Sequence, residues 1–376
     1  MNVPKLRFKE FNDEWINNCL SDIATITMGQ SPSSKNYTSN KNDIILIQGN
    51  ADLNNGHVVP RIFTTQITKT CNINDIIMTV RAPVGDTAIS YYNACIGRGV
   101  CAISGDKYIY HYLNYLKIND YWKKISKGST IDSITSNDIR NLNINFPNST
   151  ETKKIVKTLD LLDKKIFLQT KKIEDLKLFK KGVIDYISKK IETEKIPLKN
   201  ILVEQNYKTT KNNEYEILSS TAKGIYLQKD YFNKQAASDN NIGYKILKKN
   251  QLVLSPQNLW MGNININKEY NIGIVSPSYK VFNINDNIDI NFFNYWIKSA
   301  KALYEYKISS EQGASIVRRN LNMDLFYEIV ADIPKGKWQN EIGKIIKLLD
   351  LKVQYNESSL QKLLDLKKGL MQNMFV

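Results

Sequence analysis

Seven arginines stand among 45 lysines in this 376-residue chain, and Arg61, Arg81, Arg98, Arg140, Arg318 and Arg319 fall in segments of globular composition. A planar guanidinium can donate two parallel hydrogen bonds to guanine or to a phosphate, which a lysine ammonium cannot. The loops around them are rich in amides and hydroxyls. Met28–Asn42 (MGQSPSSKNYTSNKN) offers Gln30, Ser33, Lys35 and Tyr37, and Asn50, Lys127 and Thr130 lie in other loops of the same half. The second half offers Lys208, then Ser219, Lys223 and Tyr226, then Gln257 and Trp260, then Arg318 and Arg319. Glutamine and asparagine can bond adenine bidentately, while serine and lysine reach phosphates. Singly, each loop reads as a solvated surface segment. Their recurrence at equivalent places makes them candidate contacts to DNA.

Bond-breaking chemistry is hard to place. There is no phosphate-binding GxxxxGK[ST] loop, no HExxH helix and no GxSxG elbow. A [DNS]PP[YFW] tetrapeptide, which amino-methyltransferases use to hold the target amine, is also missing. His57 and His111 are the two histidines, and Cys19, Cys71, Cys95 and Cys101 form no CxxC pair, so neither metal nor disulfide is indicated. No cofactor is expected on this chain. The net charge of +15 favours an anionic partner. It is diluted as evidence by a Lys, Asn, Ile and Tyr bias that AT-rich coding alone produces. No apolar run is long enough to span a membrane and the start MNVPKLRFKEF lacks a signal-peptide core, so a cytoplasmic protein without membrane contact is expected.

The elements that must position these loops are announced by a repeat. LLDKKI at Leu161–Ile166 returns as LLDLKV at Leu348–Val353, and the match runs without a gap from Ile155–Gly182 to Ile342–Gly369. Apolar residues follow the 3–4 spacing of a coiled-coil seam: Ile155, Leu159, Leu162, Ile166, Ile173 and Leu176 in one copy, Ile346, Leu349, Val353, Leu360, Leu363 and Leu370 in the other. The polar interruptions coincide, Gln169 with Asn356 and Lys180 with Lys367. About 35 helical residues make a rod roughly 50 Å long, and Pro147 and Pro334 stand just before the two rods.

The segments between the rods repeat more faintly. IILIQGN (44–50) matches YEILSST (215–221), and YNACIG (92–97) matches YNIGIV (270–275). HYLNYLK (111–117) matches FFNYWIK (292–298), and the loops KGSTI (127–131) and QGASI (312–316) close the halves. The order globular half, rod, globular half, rod predicts a mixed α/β protein with internal two-fold pseudosymmetry. Its segments are 1–148, a helix at 149–190, 191–335 and a helix at 336–376, with the helices pairing as an antiparallel coiled coil.

This arrangement resembles the DNA-specificity (S) subunit of type I restriction-modification systems. PKLRFKEFNDEW (4–15) is similar to that family's lead-in, and Pro147, Glu151 and Ile155 followed by LLDKKI resemble its Pro-x3-Glu-Gln-x2-Ile helix start. LKKGLMQNMF (366–375) resembles its C-terminal signature. Thr152 departs from the glutamine of the first helix start, and Trp338-Gln339 replaces the Glu-Gln pair of the second. The resemblance implies that each globular half is a target recognition domain reading one half of a bipartite, asymmetric site on double-stranded DNA. It implies that the helices act as spacer and dock two methyltransferase (M) subunits, joined in some assemblies by motor-nuclease (R) subunits. S-adenosylmethionine and ATP then belong to those partners, and this chain is not itself an enzyme. The competing readings are a coiled-coil adaptor whose basic halves bind other acidic partners, and a DNA enzyme with an unrecognised motif.

Overall fold

The computed structural model describes residues 3–125, 133–231, 240–312 and 319–376. The chain divides into two compact units, residues 1–173 with 356–376, and residues 174–355. The division cuts both long helices, so each unit owns part of both.

In the first unit the strand Ile76–Thr79 is buried along its whole length, between Val100–Ser104 on one side and Thr87–Ile89 on the other. Side chains alternate across a strand. Ile76 and Met78, with Cys101 and Ile103, face a core shared with Tyr108, Ile109 and Leu113 of the helix Lys107–Ile118. Ile77, Val100 and Ala102 face the opposite way, onto Ile47, Ala94 and Ile96 of a second, five-stranded sheet. A strand covered on both faces must read as a continuous apolar run, which is why IIMT carries no alternation. Asp106 starts the helix by accepting a hydrogen bond from the Tyr108 amide at 2.7 Å.

The second unit repeats the logic with fewer strands. Leu252–Leu254 lies between Lys280–Ile284 and Ile264–Ile266 in an antiparallel sheet of four. Leu252, Leu254 and Phe282 face Phe292, Phe293 and Tyr306, which lie on the helices Ile290–Trp296 and Ala300–Ile308. Val253 and Val281 face Leu218, Leu247 and Val275 on the other side. In each unit a short antiparallel pair ties the beginning of the globular part to its end: Ile16–Cys19 with Asn143–Phe146, and Thr193–Pro197 with Val330–Pro334.

The first long helix runs Ser149–Lys190 and the second Trp338–Met374. In the first unit, Asp163 pairs with Lys367 at 2.5 Å and Gln169 bonds Asn356, so the two segments run in opposite senses. In the second unit Lys180 pairs with Asp350, and Ile184 shares a core with Ile342 and Ile346. Both ion pairs join the aspartate of one copy to the lysine of the other. That is how the matched Lys180 and Lys367 are used at a half-buried seam. Each of Ile155, Leu159, Leu162, Ile173, Ile346 and Val353 is buried, and Ile166, Leu176, Leu349, Leu360, Leu363 and Leu370 are half-buried. A fully buried leucine or isoleucine contributes about 1.5–3 kcal/mol, so such a stripe is a strong local tie.

The start of the first helix is anchored by a charge. Glu151, wholly buried, accepts two hydrogen bonds from Arg7 at 2.8 Å each and one from the Trp15 indole at 3.2 Å. Thr152, in the position of the expected glutamine, turns its hydroxyl back to the carbonyls of Pro147 and Asn148. At the second helix start Gln339 accepts from the Asp289 amide and donates to the Asn287 carbonyl, while Trp338 is exposed.

Candidate nucleic-acid interface

Strands that end together leave their loops together. In the first unit the segments following Thr25–Met28, Ile44–Ile47, Ile76–Thr79 and Ala94–Ile96 meet along one edge. The Gln30 amide donates to the Ile96 carbonyl at 2.8 Å, the Gly97 amide to Ile47 at 2.7 Å, and the Val80 amide to Gly99 at 2.9 Å. The Arg98 amide donates to the Ser31 hydroxyl at 3.0 Å. The approach is close enough to need glycine: a Cβ on Gly29 would lie 2.1 Å from the Gly97 carbonyl oxygen, and one on Gly99 2.1 Å from that of Gln48. Gln30, Asn50, Arg81 and Arg98 are exposed along this edge. Ser33 and Lys35 are exposed on the loop leaving it, and Tyr37 is half-buried in the strand beyond.

The second unit builds a matching edge. The hairpin Leu218–Thr221 with Gly224–Leu227 carries Lys223, exposed, at its turn. The loop 255–263 carries Gln257, exposed, and Trp260, half-buried. Ser220 and Asn263 bond each other twice, at 2.8 and 3.0 Å, which fixes the hairpin against the loop. Lys208, also exposed, is bridged to Lys245, whose strand pairs at Val275 with the strand leading into 276–279. Tyr226 is half-buried and stacked on Tyr231 with ring centroids 5.2 Å apart.

Three of the sequence-derived candidates have their polar groups engaged or covered within the fold. Ser219 is 7% exposed within its strand, so it does not face a ligand. Arg61 gives its Nε to Asp52 at 2.9 Å, and the same carboxylate accepts from the amides of Gln48 and Gly49; this arginine buttresses the turn that presents Asn50. Arg319 spends its guanidinium on the carbonyls of Ser310 and Lys307 and on the Ser310 hydroxyl, closing a local loop. Lys127, Thr130 and Arg318 lie outside the described residues.

Two further side chains on these edges were not among the sequence-derived candidates. Gln48 sits between the glycines of the first edge, and its side-chain nitrogen is buried without a partner among the described residues. Lys298 reaches from beyond a helix end to the carbonyls of Gly262 at 2.7 Å and Ala222 at 3.2 Å, and burial pushes its ammonium down to about 8. Among the described residues no cluster of three or more His, Cys, Asp or Glu side chains is placed to hold a metal ion, and no helix is long and apolar enough to cross a membrane.

Residues 12–178 match the family model of the type I restriction modification DNA specificity domain. Two specificity subunits of Methanocaldococcus jannaschii are similar. The putative type I restriction enzyme MjaX specificity subunit is 32% identical over 168 residues, 43% of this chain and 39% of the relative. The MjaIX specificity subunit is 28% identical over 193 residues, 46% and 44% of the two chains. The matched part is thus well under half of either relative. Among solved structures, the S subunit of a type I restriction-modification system from M. genitalium aligns over 100% of this chain and 99% of its own, with a TM-score of 0.62 at 19% identity. A structure described as the basis of complex assembly and conformational transition of the type I R-M system aligns over 97% and 98%, with a TM-score of 0.53 at 12% identity. Residues 12–178 are therefore similar to the type I restriction modification DNA specificity domain, and the chain as a whole shares the fold of the M. genitalium S subunit.

Proposed function

We propose that the chain is the DNA-specificity subunit of a type I restriction-modification complex, each unit reading one half of a bipartite, asymmetric site. The observation that carries this is the loop edge built twice on the same strand framework with different side chains exposed. Gln30, Asn50, Arg81 and Arg98 stand on one edge, and Lys223 and Gln257 with Trp260 on the other. Guanidinium and amide groups supply base-edge hydrogen bonds, and lysines supply phosphate contacts. The same framework with different readers implies two unlike half-sites.

The helices are the docking surfaces for methyltransferase subunits. Leu161 and its repeat equivalent Leu348 are 59% and 66% exposed, although the leucine beside each turns inward. Leu168 and Tyr355 are likewise equivalent and exposed, as are Phe179 and Leu366. Each unit thus displays one complete set: Leu161, Leu168 and Leu366 in the first, Leu348, Tyr355 and Phe179 in the second. An exposed apolar position kept in both copies, and unused by the seam, suits two copies of one partner. S-adenosylmethionine and the chemistry of methyl transfer belong to that partner, and ATP to motor-nuclease subunits where these join.

Binding should report the phosphate contacts. The complex of this chain with its methyltransferase subunit should lose affinity for its site with a log–log salt slope of about −0.9 per neutralised phosphate. A flat salt dependence would favour the adaptor reading.

A further inference from the structure

We propose that Lys117 and Lys298 are equivalent positioning residues, each stapling together the two loops that form the recognition edge of its own unit. The inference rests on the proposed function and deepens it. The two lysines close the matching motifs HYLNYLK and FFNYWIK. Lys117 lies in the last turn of the helix Lys107–Ile118, and Lys298 two residues beyond Ile290–Trp296. Both reach the turn just before a core strand: Lys117 bonds Asp86, which follows Gly85 and precedes Thr87–Ile89, and Lys298 bonds Gly262, which precedes Asn263 and Ile264–Ile266. Gly85 and Gly262 share a φ of 84°, so the backbone makes the same left-handed turn in both units.

The staples use different chemistry for the same connection. The Lys117 ammonium pairs with one oxygen of Asp86, whose other oxygen accepts from the Asn50 amide at 3.2 Å. Loop 80–86 is thereby tied to turn 48–52. In the second unit Lys298 makes the tie directly, donating to Gly262 in loop 255–263 and to Ala222 in the hairpin turn. Asn263, standing where Asp86 stands, bonds Ser220 of the same hairpin. An ammonium has three donors and no acceptor, which suits two converging carbonyls. The Lys117 charge is matched by a carboxylate. No carboxylate of a described residue pairs with Lys298, so the second staple is held by backbone carbonyls alone. Each staple sits at a strand–loop junction behind the exposed readers. Its loss should loosen one reader and leave the other intact.

The test uses the full chain in complex with its methyltransferase subunit, and duplexes carrying the methylated motif with one half or the other randomised. Lys298→Met should reduce discrimination at one half-site by about tenfold, the scale of one base-pair mismatch, and leave the other half-site unchanged. Lys117→Met should do the reverse, and Lys117→Arg, which still donates to Asp86, should restore most of the loss. If Lys298→Met fails to fold by thermal melting, the Lys117→Met and Lys117→Arg pair decides, with Asp86→Ala as a second cut of the same staple. A wild-type complex that ignores both half-sites would defeat the functional reading itself. Wild-type discrimination with variants that discriminate equally well, or lose both half-sites together, would overturn the staple alone.

Discussion

Gln169 donates from Nε2 to the Asn356 side-chain oxygen at 3.0 Å and to the Asn356 carbonyl at 2.9 Å, and these two residues are the same position of the repeat. The two helix segments run in opposite senses here, so equivalent positions can meet face to face. The matched polar interruptions are therefore one hydrogen-bonded pair. A buried polar pair of this kind fixes register at a cost in stability.

Gln169→Leu or Asn356→Leu alone should lower stability by about 1–2 kcal/mol, because each leaves the other amide without this partner. The double leucine variant should recover the loss, as paired apolar residues need no hydrogen bond. Denaturant unfolding of the four proteins forms the cycle. Strictly additive losses would show that the pair is not coupled.

Arg7→Ala should destabilise the first unit by about 3 kcal/mol or more, because it strands the buried Glu151 carboxylate. Glu151→Gln should cost less, since a neutral amide can still accept from Arg7 and Trp15. Equal losses in thermal unfolding would mean that the charge is not what anchors the helix start.

Leu161 and Leu162 are chain neighbours with opposite fates, one exposed and one buried in the seam. Leu162→Asp should unfold the helix locally by burying an unpaired charge. Leu161→Asp should change stability by no more than about 0.5 kcal/mol, the usual range for surface sites, yet weaken capture of the methyltransferase subunit. Leu349→Asp and Leu348→Asp should repeat the contrast in the second unit. Circular dichroism and pull-down on each variant separate the effects, and a Leu161→Asp protein that still captures its partner fully would remove that leucine from the docking surface.

Burial lowers the Lys298 ammonium from 10.5 to about 8, so the folded state disfavours the charged form. Below about pH 8 both states are protonated and the penalty is constant. Between about 8 and 10.5 the unfolded chain holds the extra proton, so this group's contribution makes stability rise with pH. A Lys298 Cε resonance titrating with a midpoint near 8 is expected, and a midpoint above 10 would mean the amine is solvated.

The helices were legible because their physics is local: a 3–4 apolar spacing and interruptions that match across the repeat. The fate of individual polar groups was not. That Arg61 bonds Asp52, that Arg319 bonds the Ser310 and Lys307 carbonyls, and that Ser219 is buried could not be read from a linear sequence. The match of Lys117 with Lys298 was visible, yet its purpose depends on loops 31 to 76 residues away. Nor does the spacing of apolar residues announce that the compact units share both helices, since that division depends on packing.

Two unlike edges that read two half-sites should leave a two-part mark on the genome. The most direct test is a map of N6-methyladenine in cells expressing this chain with its methyltransferase subunit, beside the same cells carrying the Gln30→Ala, Arg98→Ala double variant. A bipartite motif that requires this chain is expected, and in the double variant one half of the motif should be relaxed or lost while the other half keeps its sequence. A map without a bipartite motif, or one in which both halves change together, would contradict this reading of the two edges.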